Sequence, residues 1–401
     1  LLGLVGLALW ASHLQQHAVV SMHAYLFAFV TCLCVALGCL VFVLLQHLSR
    51  AGWSVVVRRS AESGAASLPL FVLLLVPIVL WQDKLFVWQH MPHDPLVQAK
   101  APYLNAPFFV LRSALYVLLF AGIGVWFYAL SVKQDDGKHP RVSLRMRAAS
   151  PAALVLFGLG VTFASFDWIM SLQPHWYSTI FGVLIFSGCV ISGLSFLILL
   201  CVALQAGGYL PCVRAGHYYD LGKLLFGFTV FWAYIAFSQF MLHWYAAIPE
   251  EIAFYHHRLH GAWKTVSWAM PITHFFIPFF MLLSRWAKCN RIVLSVAAMW
   301  TLAMHAVHIA WLVLPAIAEH AHAAASHTGA VHTVVQAAPS QVVHGVSLEA
   351  TTIMQFVGAS VWALLGVGGL FVAVTLFVLL RKPFVPTGDP LLHESLQVQD
   401  P

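Results

Sequence analysis

The sequence predicts an all-α, polytopic membrane protein built as a bundle of about ten transmembrane helices. Of its 401 residues, 61% are hydrophobic and 8% are charged, and the mean hydropathy is +0.84. Soluble domains carry about 25% charged residues, so this chain has too few charges to cover a surface in water. Apolar runs of about 20 residues, the length that crosses a ~30 Å hydrocarbon core, recur along the chain. The alternating pattern of a membrane β-barrel does not appear, which leaves a helical bundle.

The apolar runs also give the order of the elements. They are separated by short segments rich in Gly, Pro, Lys and Arg, which end helices or lie at membrane surfaces. The chain begins with Leu1, so we expect its true N-terminus to lie upstream. We predict one integral membrane domain over residues 1–401 with helices at 1–14, 18–48, 66–83, 107–131, 149–171, 176–206, 222–247, 262–285, 291–316 and 352–381, followed by a tail at 382–401.

Basic residues in the connections predict the orientation. Fifteen of the 20 Lys and Arg residues fall in connections on one side of the membrane, and Arg58 and Arg59 before the third helix are among them. The other five, which include Arg112, fall in connections on the opposite side. Cytoplasmic loops carry the excess of Lys and Arg. Both ends of the chain are therefore predicted to be cytoplasmic. These charges follow the spans and form no basic patch with interleaved aromatics, so nucleic-acid binding is not expected.

Two connections are predicted to lie on the outer side. The first, at 84–106, is rich in proline and should form an ordered loop. The second, at 317–351, contains five histidines but no Lys or Arg. The irregular spacing of these five histidines does not favour a metal site. The seven cysteines form no C-x-x-C pair and lie in apolar runs or inner loops, so neither disulfides nor covalent haem is expected.

Ionisable residues inside predicted spans are costly in lipid, so each is a candidate functional residue. Asp167 lies near the outer end of the fifth helix, and His175 and Trp176 open the sixth. Asp167 is either a helix-end carboxylate that reaches interfacial water or pairs with a neighbour, or a proton acceptor near a quinone or in a proton path. His175 either bonds a quinone oxygen or reaches interfacial water, and Trp176 suits the aromatic belt of a membrane interface.

The seventh helix carries a polar stripe of Tyr234, Ser238, Gln239 and His243. Such a stripe either lines a proton path or joins helices through hydrogen bonds worth about 0.6 kcal/mol each. Two further sets extend the candidate path. One is the pair of outer acids Glu250 and Glu251, which are either proton acceptors or solvated loop charges. The other is Lys223 at the inner end of the helix, which either enters the bundle or snorkels to the surface.

Three histidines lie deeper in the last third of the chain. His274 stands between two prolines in the eighth helix, and His305 and His308 are three residues apart in the ninth. Histidine titrates near neutral pH and makes a good proton relay. Two histidines from facing helices also suit a b-type haem. Relay, haem ligation and hydrogen-bonded core packing all remain open for these three residues.

Six strings resemble one protein family. They are APYLNAPFF, TFASFDWIMSL, PHWYSTIFG, YDLGKLLFG, FWAYIAFSQF and IPEE, which begin at positions 101, 162, 174, 219, 231 and 248. Together they resemble the F subunits of bacterial alternative complex III, within the NrfD or polysulfide-reductase membrane-subunit family. The resemblance covers roughly residues 40–380. His308 departs from the family pattern, in which an Asp is expected.

The resemblance implies a fold of ten-span bundles built on four-helix units, and a function in the bacterial inner membrane. Such complexes oxidise menaquinol or another quinol and pass electrons through partner subunits to a cytochrome c or a terminal oxidase. The implied partners are an NrfD-like C subunit, an iron–sulfur subunit and c-type cytochrome subunits. Haem and iron–sulfur clusters would belong to those partners, while this chain would hold no firmly bound cofactor beyond a possible quinone. The family's role carries over to Asp167, His175, Gln239, His243 and Glu250.

Three hypotheses therefore follow from the sequence. The chain is a proton-path or quinone-pocket subunit of a quinol oxidoreductase, or a purely structural membrane scaffold, or a haem-b membrane cytochrome. No nucleotide-binding motif and no Ser-His-Asp arrangement supports a hydrolase.

Overall fold

The computed structural model describes residues 1–137, 140–261, 263–318 and 350–399. It is 84% helical, and its described residues contain no strand. Within this part of the chain, nine helical segments are long and apolar enough to cross a membrane. The predicted all-α polytopic bundle is therefore confirmed, and the chain is embedded in a membrane.

The helices follow one another with short connections. The first half of the chain contains α1 (Leu2–Gln16), α2 (Ala18–Ser49), α3 (Val55–Ala66), α4 (Leu70–Leu74), α5 (Val76–Leu80), α6 (Gln82–Leu85), α7 (Pro95–Ala99), α8 (Ala106–Gly137) and α9 (Pro140–Trp168). The second half contains α10 (Phe181–Ala206), α11 (Ala215–Ala246), α12 (Pro249–Leu259), α13 (Trp263–Met270), a π-helical turn (Pro271–Phe276), α14 (Ile277–Leu283), α15 (Arg285–Cys289), α16 (Arg291–Val313), α17 (Ala350–Leu380) and α18 (Leu392–Leu396).

The first predicted helix, at 1–14, corresponds to α1. Its 15 residues, counted from the second residue of the sequence, give a length of about 22 Å. It lies along α17, where Gly3 and Gly6 allow close approach to the backbone around Gly366. The other nine predicted helices correspond to the nine segments of the described residues that are long and apolar enough to cross a membrane.

The bundle is arranged around α2. This helix packs against α3, α9, α10, α16 and α17, and 94% of its most apolar 18-residue window is buried. Gly38 of α2 and Gly193 of α10 meet at the closest crossing. A Cβ atom added to Gly38 would lie 1.9 Å from the Cys189 carbonyl oxygen. Small residues let membrane helices approach to backbone contact in this way.

The third span begins earlier than the sequence predicted. The structure places its start at Gly52 and builds Gly52–Leu80 from a 3-10 turn, α3, α4 and α5. Arg58 and Arg59 lie within α3 and are buried, although the sequence prediction assigned them to a loop. Assigning them to a loop was wrong because the fold supplies buried carboxylate partners for both guanidinium groups.

The connections at the two ends of the bundle also contain structure. The Pro-rich connection at 84–106 holds a 3-10 turn at Val87–His90 and the short α7. The predicted tail folds back onto the bundle, where the Ser395 hydroxyl donates to the Trp53 carbonyl oxygen at 2.6 Å and accepts from the Val56 amide at 3.2 Å. Most of the predicted His-rich connection, residues 319–349, lies outside the described residues.

Candidate functional site

Asp167 is buried near one end of α9 and is held by an arginine. Arg112 of α8 makes two parallel hydrogen bonds to the carboxylate, from Nε to Oδ2 and from Nη2 to Oδ1, both at 2.8 Å. The Tyr116 hydroxyl donates to Oδ2 at 2.9 Å. The geometry favours the interpretation of Asp167 as a paired carboxylate. The sequence placed Arg112 among outer loop charges, yet its spacing of four residues from Tyr116 on an apolar helix marks a shared face.

Arg112 is itself covered by aromatic residues. Its guanidinium lies 3.8 Å from the Tyr103 ring centroid and 4.2 Å from that of Phe108, and its Nη1 donates to the Tyr103 carbonyl oxygen at 2.9 Å. Burial and the nearby Asp167 carboxylate raise the pKa of Tyr103 to about 12. These contacts join the Pro-rich connection to the bundle.

His175 belongs to a different environment. Its Nε2 lies 2.9 Å from Asp94 Oδ2, and 43% of its side chain is exposed. Partial burial acts to raise the Asp94 pKa, but hydrogen bonds from His175 and from the Val97 and Leu96 amides outweigh it and hold that pKa below its ordinary value. His175 and Asp167 are therefore held by separate partners.

Trp176 lies inside an aromatic cluster with the polar stripe of α11. Its ring stacks on Phe254 of α12 at 3.9 Å and lies 5.8 Å from the His243 ring. His243 Nδ1 lies 2.7 Å from the Gln239 carbonyl oxygen, and the Gln239 amide donates to the Tyr255 hydroxyl at 3.0 Å. We call Trp176, Gln239, His243, Phe254 and Tyr255 the outer aromatic cluster, after the side of the membrane that the sequence predicts for it. It brings together Trp176, Gln239 and His243, which were candidate functional residues from the sequence.

The remaining predicted residues of this region lie at the bundle surface. Tyr234 is 65% exposed and Ser238 is half-buried. Glu250 is exposed and Glu251 half-buried, both in the first turn of α12, where carboxylates stabilise the helix dipole. Lys223 Nζ pairs with Asp220 Oδ1 at 2.6 Å, and its side chain is 51% exposed.

Three predicted histidines converge inside the bundle. His274 lies in the π-helical turn, stacks on Trp232 of α11 at 3.9 Å, and lies 5.7 Å from the His308 ring. His305 lies one turn before His308 on α16, and all three side chains are buried. Both ring nitrogens of His274 and of His305, and Nδ1 of His308, have no hydrogen-bond partner among the described residues. We call His274, His305 and His308 the histidine cluster.

The histidine cluster does not fit a haem. A haem ligated by two histidines needs both rings to present a nitrogen to one iron, with a wide slot between them for the macrocycle. The Trp232 ring contacts both His274 and His308, at 3.9 and 5.2 Å. The Trp311 ring lies nearly parallel to that of His308, with the ring centroids 6.2 Å apart. Indole rings therefore occupy the space that the macrocycle would need.

α16 extends the polar face of the histidine cluster towards the other end of the bundle. Thr301 lies one turn before His305, and its Oγ1 is 2.7 Å from the Ser195 Oγ of α10. Gly188 of α10 leaves room for the His305 ring, since an added Cβ would lie 3.0 Å from its Cε1. The Cys34 thiol of α2 lies beside this ring.

A second buried ionic group occupies the end of the bundle that carries the C-terminal segment. Arg58 pairs with Glu62 and Asp389, and Arg59 pairs with Glu62 and Asp135. The Ser131 hydroxyl donates to Glu62 Oε2 at 2.7 Å. We call Arg58, Arg59, Glu62, Asp135 and Asp389 the inner charge cluster, after the side of the membrane that the sequence predicts for it. Sequence analysis missed it, although the spacing of Arg58, Arg59 and Glu62 at three and four residues was a usable signal.

Comparisons with known proteins add no relative to this description. No protein-family model matches the chain, and no curated protein matches it. Membership of the NrfD-like family therefore remains a prediction from the six sequence strings. Among the described residues, no group of three or more His, Cys, Asp or Glu side chains is arranged to hold a metal ion.

Proposed function

We propose that this chain is a membrane subunit of a quinol:acceptor oxidoreductase of the alternative complex III type, and that it provides a path for protons. The observation that supports this proposal is the histidine cluster: three buried imidazoles from two elements, with five ring nitrogens unpaired among the described residues. Buried polar atoms without protein partners are commonly satisfied by water. Imidazoles linked by water can relay protons, because one ring nitrogen can accept a hydrogen bond while the other donates one.

The other buried polar groups support a path that runs along the bundle. Gln239 and His243 of the outer aromatic cluster lie on α11, which also carries Trp232, the ring that stacks on His274. Thr301 and Ser195 continue the polar face of α16 beyond His305. The inner charge cluster lies near the opposite end. Ionisable residues inside a membrane bundle are functional candidates by default because lipid makes them costly.

The proposal includes the setting that the resemblance implies. The chain would lie in the bacterial inner membrane with both termini in the cytoplasm, beside an NrfD-like C subunit, an iron–sulfur subunit and c-type cytochromes. A terminal oxidase would accept the electrons. A purely structural scaffold is the competing proposal, under which the buried polar residues serve packing alone.

The test is proton translocation by the assembled complex in liposomes. A double variant, His305→Gln and His308→Gln, keeps hydrogen-bonding side chains but cannot carry a proton near neutral pH. We expect fewer protons moved per quinol oxidised, with quinol oxidation retained. The matched control is His93→Gln in the Pro-rich connection, where the side chain is exposed. Equal proton yields in the double variant and the wild type would reject the proton path and favour the scaffold.

A quinone pocket at the outer aromatic cluster is the second candidate. Trp176 offers a flat ring, and His243 and Tyr255 offer polar atoms beside it. A quinone head would have to displace Phe254 from its stack on Trp176. Trp176→Leu should then raise the KM for quinol with little change in kcat. An unchanged KM would remove this candidate.

A further inference from the structure

A cavity of about 220 Å³ opens beside the inner charge cluster. It lies between the end of α2, the beginning of α9 and the C-terminal segment. Its charged and polar lining includes Gln46, His47, Arg50, Arg58, Arg147 and Asp389. Three arginines and one carboxylate line this cavity, so the charge of its lining is positive and suits an anion.

Two of these arginines are not neutralised by the protein. Arg50 and Arg147 are exposed, and neither has a carboxylate partner among the described residues. The third arginine, Arg58, pairs with Asp389 and Glu62. The cavity therefore keeps an excess of positive charge that Asp389 does not cancel.

The backbone at Arg50 points to a role for its side chain. Arg50 ends α2 with φ 52° and ψ 42°, in the left-handed region. Helices that end in this conformation usually place glycine there, because a Cβ atom is strained. Packing does not explain an arginine at this position, because the side chain is exposed. Binding of an anion by the guanidinium would account for it.

Two buried side chains in the same cavity have polar atoms without partners. Gln46 and His47 are 7% and 6% exposed. The Gln46 Oε1 and His47 Nε2 atoms have no hydrogen-bond partner among the described residues. An unpaired buried acceptor and an unpaired ring nitrogen, beside two free guanidinium groups, match a ligand that carries both phosphate oxygens and a hydroxyl group.

The apolar surroundings favour a lipid as the source of that phosphate. Leu144 lines the cavity and is 62% exposed at the side of the bundle. From it an exposed apolar stripe follows α9 through Val155, Leu159 and Phe163. Such a stripe would lie beside an acyl chain while the headgroup enters the cavity. Basic pockets between helices at a membrane surface bind anionic lipid headgroups.

We propose that this cavity binds the phosphate of an anionic phospholipid. Arg50 and Arg147 form ion pairs with the phosphate oxygens, and Gln46 Oε1 accepts a hydrogen bond from a headgroup hydroxyl. Free inorganic phosphate offers the same anion without the acyl chains. The apolar stripe on α9 selects the lipid.

The experiment measures lipid binding to the purified full chain in detergent. Phosphatidylglycerol, phosphatidylcholine and inorganic phosphate are added separately, and the thermal midpoint and the bound lipid by native mass spectrometry are recorded. We expect phosphatidylglycerol to bind and raise the midpoint, and the other two to have little effect. Equal shifts with phosphatidylcholine, or with inorganic phosphate, would overturn the assignment to an anionic lipid.

Two variants locate the site, and we expect both to fold because the replaced side chains are exposed. Arg50→Gly removes a cation and relieves the left-handed strain, and Arg147→Gln removes the second cation from an exposed position. Each should weaken phosphatidylglycerol binding about fivefold, the effect of one basic residue near an anionic lipid. The matched controls are Ala247→Gly, at the other left-handed helix end, and Arg141→Gln, an exposed arginine on α9 that does not line the cavity. Unchanged binding in both Arg50→Gly and Arg147→Gln would refute the proposal.

Discussion

At the scale of single residues, the Asp167–Arg112 pair shows how this chain keeps charge inside a bundle. The two side chains are 0% and 8% exposed, and they share two parallel hydrogen bonds. Buried ion pairs gain little net stability because both charges lose their water. Removing one partner is far worse, since the remaining charge stays buried alone.

Replacement of Arg112 should therefore be more harmful than replacement of both partners. Arg112→Gln leaves the Asp167 carboxylate with only Tyr116, and we expect a loss of about 3–5 kcal/mol in the free energy of unfolding. The double variant Arg112→Gln and Asp167→Asn should recover a large part of that loss. Denaturation in detergent measures both. If the double variant is as unstable as the single one, charge burial is not the cause.

The sequence could predict Asp167 but not its partner. A carboxylate in an apolar run is visible from the sequence alone, as are Gln239 and His243 on one helical face. The partner of Asp167 comes from α8, 55 residues away, and one of the two partners of Arg58 is Asp389, 331 residues away. Long-range pairs of this kind depend on helix packing, which local patterns do not specify.

At the scale of elements, the crossing of α2 and α10 depends on glycine. Gly38→Ala would place a Cβ atom against the Cys189 carbonyl oxygen, which belongs to helical backbone and cannot move aside cheaply. We expect a loss of about 1–3 kcal/mol or more in stability from overpacking. Gly122→Ala on α8 is the control, because an added Cβ there meets nothing within 4 Å. It should be neutral or stabilising by about 0.5–1 kcal/mol. Equal thermal midpoints in the two variants would contradict this account.

Helix positions followed from composition, while helix irregularities did not. The long apolar runs predicted α2, α8, α11 and α16 because length and hydropathy suffice for a span. The π-helical turn around His274 was not predicted. Two prolines marked the region, but the insertion that turns His274 towards Trp232 depends on the neighbouring helices. Such π-helical turns are frequent at functional sites.

At the scale of the whole molecule, the C-terminal segment connects parts of the chain that are distant in sequence. Asp389 pairs with Arg58, and the Gly388 amide donates to Asp135 Oδ1 at 3.0 Å. His217 Nε2 donates to the Ser395 carbonyl oxygen at 3.0 Å. The segment predicted as a tail is therefore a closing element for α3, α8 and α11.

Loss of the Asp389 carboxylate should loosen this closing element. Asp389→Ala leaves Arg58 with Glu62 alone, which Arg59 also contacts, and should cost about 1.5–3 kcal/mol for a buried bond between charged groups. Hydrogen exchange should then quicken across residues 386–396. His393→Ala, an exposed side chain in the same segment, is the control. Slow exchange in Asp389→Ala would show that the segment is held by its other contacts.

The contact between Arg58 and Asp389 has a consequence for biosynthesis. Arg58 is synthesised 331 residues before Asp389, so the growing polypeptide contains its third span before this counter-charge exists. A polypeptide that lacks the segment around Asp389 would carry a poorly neutralised guanidinium inside the bilayer. Arg58 therefore acquires its full set of partners only after that segment has been synthesised and has folded back onto α3.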